Sequence, residues 1–141
     1  IGSVTPNTGK FTNVELTGTA GGPSGPSPPA ANVLYKDNLI KAWVVYDNSA
    51  GFSTYDFFNI SSITDDAVGI VTVIFDRDFA NTSYAIVGTA EAVATDLAAI
   101  YLLATIAGTQ NVGSTQIRVA NSVTGANTDL DRVSVIAIGD Q

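Results

Sequence analysis

The sequence predicts an all-β protein, either a β-sandwich or a barrel-like knob. Val, Ile, Thr, Tyr and Phe are mixed with 13 glycines, a composition typical of strands and turns. No long segment repeats its apolar residues with the helical period. The apolar runs are short, and each ends in a polar or glycine-containing loop, which is the pattern of small antiparallel sandwich domains.

The strand-forming runs have apolar or alternating residues and are bounded by turn residues. We predict strands near residues 33–46, 54–60, 69–75, 84–94, 99–106, 115–121 and 132–139. One stretch, AEAVATDLAAIYLLA at residues 90–104, is rich in helix formers, so a helix is the alternative there.

The chain divides into three parts. Residues 1–20 contain one candidate strand, Phe11 to Leu16, between turn residues. Residues 21–32, GGPSGPSPPAAN, have no apolar side chains to bury beyond alanine and proline, and they read as a semi-extended linker. The strand pattern begins after this linker, so residues 33–141 form the predicted knob.

Several predicted strands are apolar on both faces. In LIKAWVVY, residues 39–46, only Lys41 interrupts the apolar residues, and Trp43 in the middle is expected to be a core residue. Residues 70–75 and 133–138 have the same character. Because a sandwich buries one face of each sheet, a second apolar face predicts a further layer. A symmetric oligomer supplies it; the alternative is a larger monomer with covering helices.

The charge and the length of the apolar runs exclude two classes of partner. The net charge is −7 with six basic residues scattered along the chain, which is unlike a nucleic-acid-binding protein. Although 45% of the residues are hydrophobic, the longest apolar runs, such as AIYLLATIAG at residues 99–108, are too short for a membrane-spanning helix. We therefore predict no membrane insertion.

The chain has no His and no Cys, which excludes the commonest general base, a thiol nucleophile and the Ser-His-Asp triad. Paired carboxylates can serve a glycosidase or bind calcium, but Asp is also an ordinary turn residue. We predict no enzyme activity, no metal and no cofactor. The acidic pairs are Asp65 with Asp66, Asp76 with Asp78, and Asp129 with Asp131.

Three motifs resemble the C-terminal domain of many bacteriophage tail fibre and tail-tip proteins: KAWV at residues 41–44, FNISSITD at 58–65 and VSVIAIGDQ at 133–141. The first stretch, IGSVTPNTGKFTNVELTG, is similar to the shaft repeats of phage fibres. Relatives commonly carry polar or aromatic residues where this chain has Ile70, Val71 and Ile74. Further matching positions are Gly69, TV at 72–73, Phe75 and YA at 84–85.

The resemblance implies a virion protein: a shaft segment, a linker and an antiparallel β-sandwich knob that forms a homotrimer around a threefold axis. The apolar outer faces would then meet sister chains. Its expected partners are two other copies of itself, other phage tail proteins and a host cell-surface receptor, which we take to be a saccharide. The rival prediction is a structural or decorating virion protein, in a head fibre or collar, that contacts only other phage proteins.

Strand alternation suggests which loops would face the host. If each strand crosses the knob once, the first, third and fifth loops lie far from the shaft: residues 47–53, 76–83 and 107–114. Their amides, carboxylates and one aromatic ring suit a hydroxyl-rich saccharide, although turn residues of this kind occur in most loops. The predicted receptor-binding residues are Asp47, Asn48, Phe52, Asp76, Arg77, Asp78, Asn81, Gln110 and Asn111.

Overall fold

A computed structural model describes residues 39–49, 51–91 and 101–141. These residues form two four-stranded antiparallel sheets and no helix, which confirms the all-β prediction. Sheet A has the strand order β2-β1-β8-β5 and sheet B the order β3-β4-β7-β6. The strands are β1 (Ile40–Asp47), β2 (Ser53–Phe58), β3 (Ile60–Ala67), β4 (Ile70–Phe75), β5 (Ala85–Ala90), β6 (Tyr101–Thr105), β7 (Ser114–Asn121) and β8 (Val133–Ile138).

The predicted shaft segment, linker and first residues of the knob, 1–38, lie outside the described residues. Part of the segment for which a helix was the alternative, 92–100, does too, but its last residues form strand β6. Within the described ranges, no helix has the length and apolar character needed to cross a membrane.

The two sheets pack face to face around one core. Alternate residues of each strand point inward, so the buried set follows the period of two that a pleated strand imposes. Loop residues Phe79, Tyr84 and Leu130 complete this core, and the rings of Phe79 and Tyr84 stack 4.2 Å apart. Its strand members include Ala42, Val44, Tyr46, Val133, Val135 and Ala137 from sheet A, and Ile60, Val71, Val73, Phe75, Ile117 and Val119 from sheet B.

Strand β1 shows how its two apolar faces are divided. Ala42, Val44 and Tyr46 are buried between the sheets, whereas Trp43 and Val45 are half-buried on the outer face of sheet A. The expectation that Trp43 is a core residue is therefore wrong. Apolar residues stand on both sides of this strand, and composition alone does not tell which set faces inward.

The sequence does not predict strand β3. Of its eight residues only Ile60 is buried and Ile63 half-buried, while the others are exposed. The segment ISSITDDA therefore reads as a polar loop, although it forms the edge of sheet B beside β4. The remaining seven strands were predicted close to their observed positions.

Asn59 forms the corner where the chain leaves sheet A at β2 and enters sheet B at β3. Its φ of 55° lies in the left-handed region, which costs a residue with a Cβ about 1–2 kcal/mol. The side chain compensates with hydrogen bonds to backbone groups. Its Nδ2 donates to the carbonyls of Lys41 (3.0 Å) and Arg77 (3.2 Å), and its Oδ1 accepts from the Arg77 N–H (2.8 Å).

One backbone donor of edge strand β2 is occupied by a side chain of the same strand. All six residues of this strand are exposed. The backbone N–H of Phe57 donates to Oδ1 of the adjacent Asp56 at 2.9 Å. A carboxylate therefore occupies a donor on the open edge of sheet A.

A buried hydroxyl group in the core is poorly bonded. Thr115 on β7 is 1% exposed, and its Oγ1 makes no hydrogen bond of normal geometry to any described residue, with the Tyr84 hydroxyl as its polar neighbour. It borders a cavity of about 10 Å³ whose other lining residues are apolar, Val73 and Val135 among them. A space of this size is at the limit for a single water molecule.

We expect replacement of Asn59 to separate backbone strain from side-chain bonding. Asn59→Ala loses the bonds to Lys41 and Arg77 and keeps the strained φ, so the free energy of unfolding should fall by about 3 kcal/mol. Asn59→Gly loses the same bonds but tolerates the conformation, so its loss should be smaller by about 1 kcal/mol. Urea denaturation measures both, and an equal loss would contradict the role of φ.

We expect Thr115→Val to stabilise the protein by about 1 kcal/mol, because an isosteric methyl replaces a poorly bonded buried hydroxyl. The control is Thr89→Val on the exposed face of β5, where the change should stay within about 0.5 kcal/mol. Thermal unfolding of the two variants provides the comparison. Destabilisation by Thr115→Val would instead indicate that a water molecule bonds to the hydroxyl.

Candidate functional site

The three loops predicted to share one end of the knob lie at opposite ends. We call the end where β1 ends at Asp47 the distal end, and the end where β1 begins at Ile40 the proximal end. Asn48, Ser49, Gly51 and Phe52 lie at the distal end, where the N–H of Asn48 donates to the carbonyl of Leu130. Loops 76–84 and 106–113 lie together at the proximal end, where Phe79 N–H donates to Val112 O.

Strand β3 explains this error. Between the loops at residues 47–53 and 76–83 the prediction has two strands, whereas the structure has three. Each additional antiparallel strand moves the following loop to the other end of the sandwich. Every loop after β4 therefore lies at the opposite end from the one predicted. The prediction that all nine residues share one end is therefore wrong: three lie at the distal end, and the six in the second and third loops lie at the proximal end.

Asn48 has a structural role at the distal end. It is 4% exposed, and its Oδ1 accepts the N–H of Leu130 while its Nδ2 donates to Oδ1 of Asp129 at 3.0 Å. The same Asp129 oxygen accepts the N–H of Gly69, whose φ of 64° and contacts exclude a side chain. Asn48 and Asp129 therefore join three loops, and Asn48 is too enclosed to contact a receptor.

Asp47 lies beside an exposed aromatic residue. Its Oδ1 accepts from the N–H and hydroxyl of Ser49, and these hydrogen bonds hold the pKa of the Asp47 carboxyl below its usual value. The hydroxyl of Tyr55 lies 3.3 Å from Asp47 Oδ2 and 3.3 Å from the carbonyl of Asp131. The guanidinium of Arg132 stands 5.0 Å from the centre of the Tyr55 ring. This exposed cluster is charged and aromatic.

The other predicted residues are mostly engaged in turns. The ring of Phe52 packs 5.9 Å from Tyr46 against the core. Gln110 donates to the carbonyls of Thr82 and Tyr84, at 2.9 and 2.6 Å. Asn81 accepts the N–H of Ser83 in a local turn, and Asp76, Arg77 and Asp78 are exposed in the β4–β5 loop.

The outer face of sheet A is apolar. A row of four side chains crosses all four strands, since Trp43 on β1 pairs with Phe58 on β2 and with Ile136 on β8, which pairs with Val87 on β5. Phe58 is 53% exposed and Val87 51%. The next row toward the proximal end adds Ile40, Ile138 and Ala85, with half-buried Lys41 at the bulge beside Ile40. We call these seven residues the apolar face.

The outer face of sheet B is polar in its middle. Thr64 on β3, Thr72 on β4 and Gln116 on β7 lie side by side. Oδ2 of Asp66 accepts from the Thr72 hydroxyl and from Gln116 Nε2. Sheet B therefore presents a polar face made by Thr64, Thr72 and Gln116, with the aliphatic side chains of Ile74 and Leu102 also exposed on its outer side (37% and 57%).

A groove of about 320 Å³ lies where this polar face meets the β6–β7 loop. Of the predicted residues only Asn111 lines it. Sequence reasoning missed the others because a Thr or Gln on the exposed side of a strand is ordinary there, and nothing local indicates a concave surface. The remaining lining residues are Thr72, Gly108, Thr109, Ser114, Thr115 and Gln116.

The described residues contain no cluster of three or more acidic side chains that could hold a metal ion. Asp129, one member of the predicted acidic pair with Asp131, accepts hydrogen bonds from Gly69 and Asn48.

Comparison with protein families, with curated proteins and with solved structures found no match to this chain. Its function therefore has to be inferred from its own residues and their arrangement.

Proposed function

We propose that the chain is the non-enzymatic receptor-binding tip of a bacteriophage tail fibre, which attaches the virion to a host surface saccharide as a homotrimer. The motifs at residues 41–44, 58–65 and 133–141, which resemble tail fibre domains, suggest this identity. The antiparallel sandwich is compatible with it. The observation that carries the proposal is the apolar face of sheet A.

The seven side chains of the apolar face each cover about 4.8 by 6.8 Å of the sheet, or roughly 230 Å² in plan. The largest apolar patch on a protein surface is often a functional site. Another copy of the chain is the occupant that the resemblance suggests, and closed symmetry then limits the number of copies.

The position of the apolar face supports side-by-side assembly. Its two rows, which include Ile40 and Trp43, lie in the proximal half of sheet A, whereas Asp47 and Asp56 lie toward the distal half. Copies whose β1 strands begin next to one another would bring their apolar rows together and keep their carboxylates apart. Three copies would also present three equal binding sites, so weak sites suffice through high effective concentration.

We expect Val87→Asp to dissociate the oligomer without unfolding the subunit. Val87 is half-exposed on edge strand β5, so a charge there is tolerated in the monomer but is costly when buried between copies. The matched control is Ala104→Asp on edge strand β6, which carries the charge on the outer face of sheet B. Light scattering should give three times 14.5 kDa for the wild type and for the control, and 14.5 kDa for Val87→Asp. A monomeric wild type would contradict the proposal.

We expect the isolated trimer to adsorb to host cells and the Val87→Asp monomer to adsorb far more weakly, because only the trimer forms several contacts at once. Binding of labelled protein to cells measures this, with Ala104→Asp as the control that keeps the trimer. Equal adsorption by monomer and trimer would remove the avidity explanation.

The rival function is that of a structural or decorating virion protein. A phage that lacks residues 33–141 distinguishes the two. Loss of adsorption by intact particles supports receptor binding, whereas particles that fail to assemble or become fragile support the structural role.

A further inference from the structure

We infer that the groove between sheet B and the β6–β7 loop is a binding site for an uncharged hexose unit of a saccharide. This inference rests on the proposed function, since it names a ligand site for the same attachment protein. The groove holds about 320 Å³, which is the lower end of the range for small-molecule sites. None of its lining residues is charged.

The groove is preorganised by the loop that forms its wall. The Thr109 hydroxyl donates to Ile106 O at 2.8 Å and accepts the N–H of Gln116 at 3.3 Å. Asn111 N–H donates to Ser114 O at 2.8 Å, and the Tyr84 hydroxyl lies 2.8 Å from Asn111 O. Gln110 fastens the same loop to residues 82 and 84. Little ordering of the loop would therefore oppose ligand binding.

Several polar groups of the groove still have bonding capacity. Within the described residues, no hydrogen bond involves Oδ1 of Asn111, the hydroxyl of Ser114 or Oε1 of Gln116, although the amide nitrogens of Asn111 and Gln116 are engaged. These fixed amides and hydroxyls present acceptors and one rotatable donor to a ligand. A sugar ring carries hydroxyl groups on several sides, and it can donate to such acceptors.

The electrostatic environment selects against anionic sugars. The Asp66 carboxylate is held at the side of the groove by Gln116 Nε2 at 3.1 Å. The nearest strand cation, Arg118, is engaged elsewhere, with its guanidinium donating to Asn127 Oδ1 and Gly125 O. A carboxylate on the ligand would meet Asp66 with no compensating cation among the lining residues. We therefore expect neutral hexoses to bind and uronic acids not to bind.

The test is a titration of the isotope-labelled full chain with galactose, glucose and N-acetylglucosamine, each at millimolar concentrations, followed through backbone amide chemical shifts. Galacturonate and glucuronate are the matched anionic probes. We expect at least one neutral sugar to shift the amides of Thr109, Asn111 and Gln116, and neither uronate to do so. No shift with any neutral sugar, or shifts confined to another surface, would overturn the inference.

Two variants link the shifts to the groove. Asn111→Ala and Gln116→Ala each remove one acceptor, so each should weaken binding by about fivefold. Thr89→Ala, on the outer face of sheet A, is the control and should bind as the wild type does. Unchanged affinity in both groove variants would contradict the site.

The outcomes separate this inference from the proposed function. If the trimer adsorbs to cells but no neutral sugar binds in the groove, the groove site is contradicted and the attachment function is not. If the wild-type protein is a monomer that does not adsorb to cells but binds a hexose in the groove, the site is supported and the fibre-tip function is contradicted.

Discussion

A two-sheet protein has only one interior, and this constraint determines most of what the structure presents to its surroundings. Side chains alternate between the faces of each strand, so every strand gives half of its residues to the core and half to the outside. Where both halves are apolar, as in β1 and β8, the outer half remains only half-buried. The apolar face of sheet A is therefore not an accident of packing; it follows from strands that carry more apolar residues than one interior can hold.

The sequence predicted the fold class and seven of the eight strands because strand-forming runs and turn residues are local signals. It also indicated that some strands are apolar on two sides. It did not indicate which face of β1 points inward. That choice depends on register against β2 and β8, and Trp43 consequently lies on the outer face rather than in the core.

The candidate site was predicted less well than the fold, for a physical reason. Positions of loops depend on the count of strands, and the count failed at β3, whose residues are nearly all exposed. Asn48 and Gln110 have the residue types expected of a binding loop, but their amides bond to backbone or side-chain groups of the protein itself. The groove, in contrast, is made by residues that are far apart in sequence, such as Thr72 and Gln116, and only the sheet brings them together.

The carboxylate of Asp56 on the free edge of β2 has a consequence for the size of any assembly. An open strand edge can recruit a strand from a neighbouring molecule, and that neighbour offers a new open edge, so growth continues into a fibril. Here the Phe57 donor is already occupied and a negative charge stands beside it. Sheet extension at the β2 edge is thereby disfavoured relative to contacts through faces, which can close on themselves.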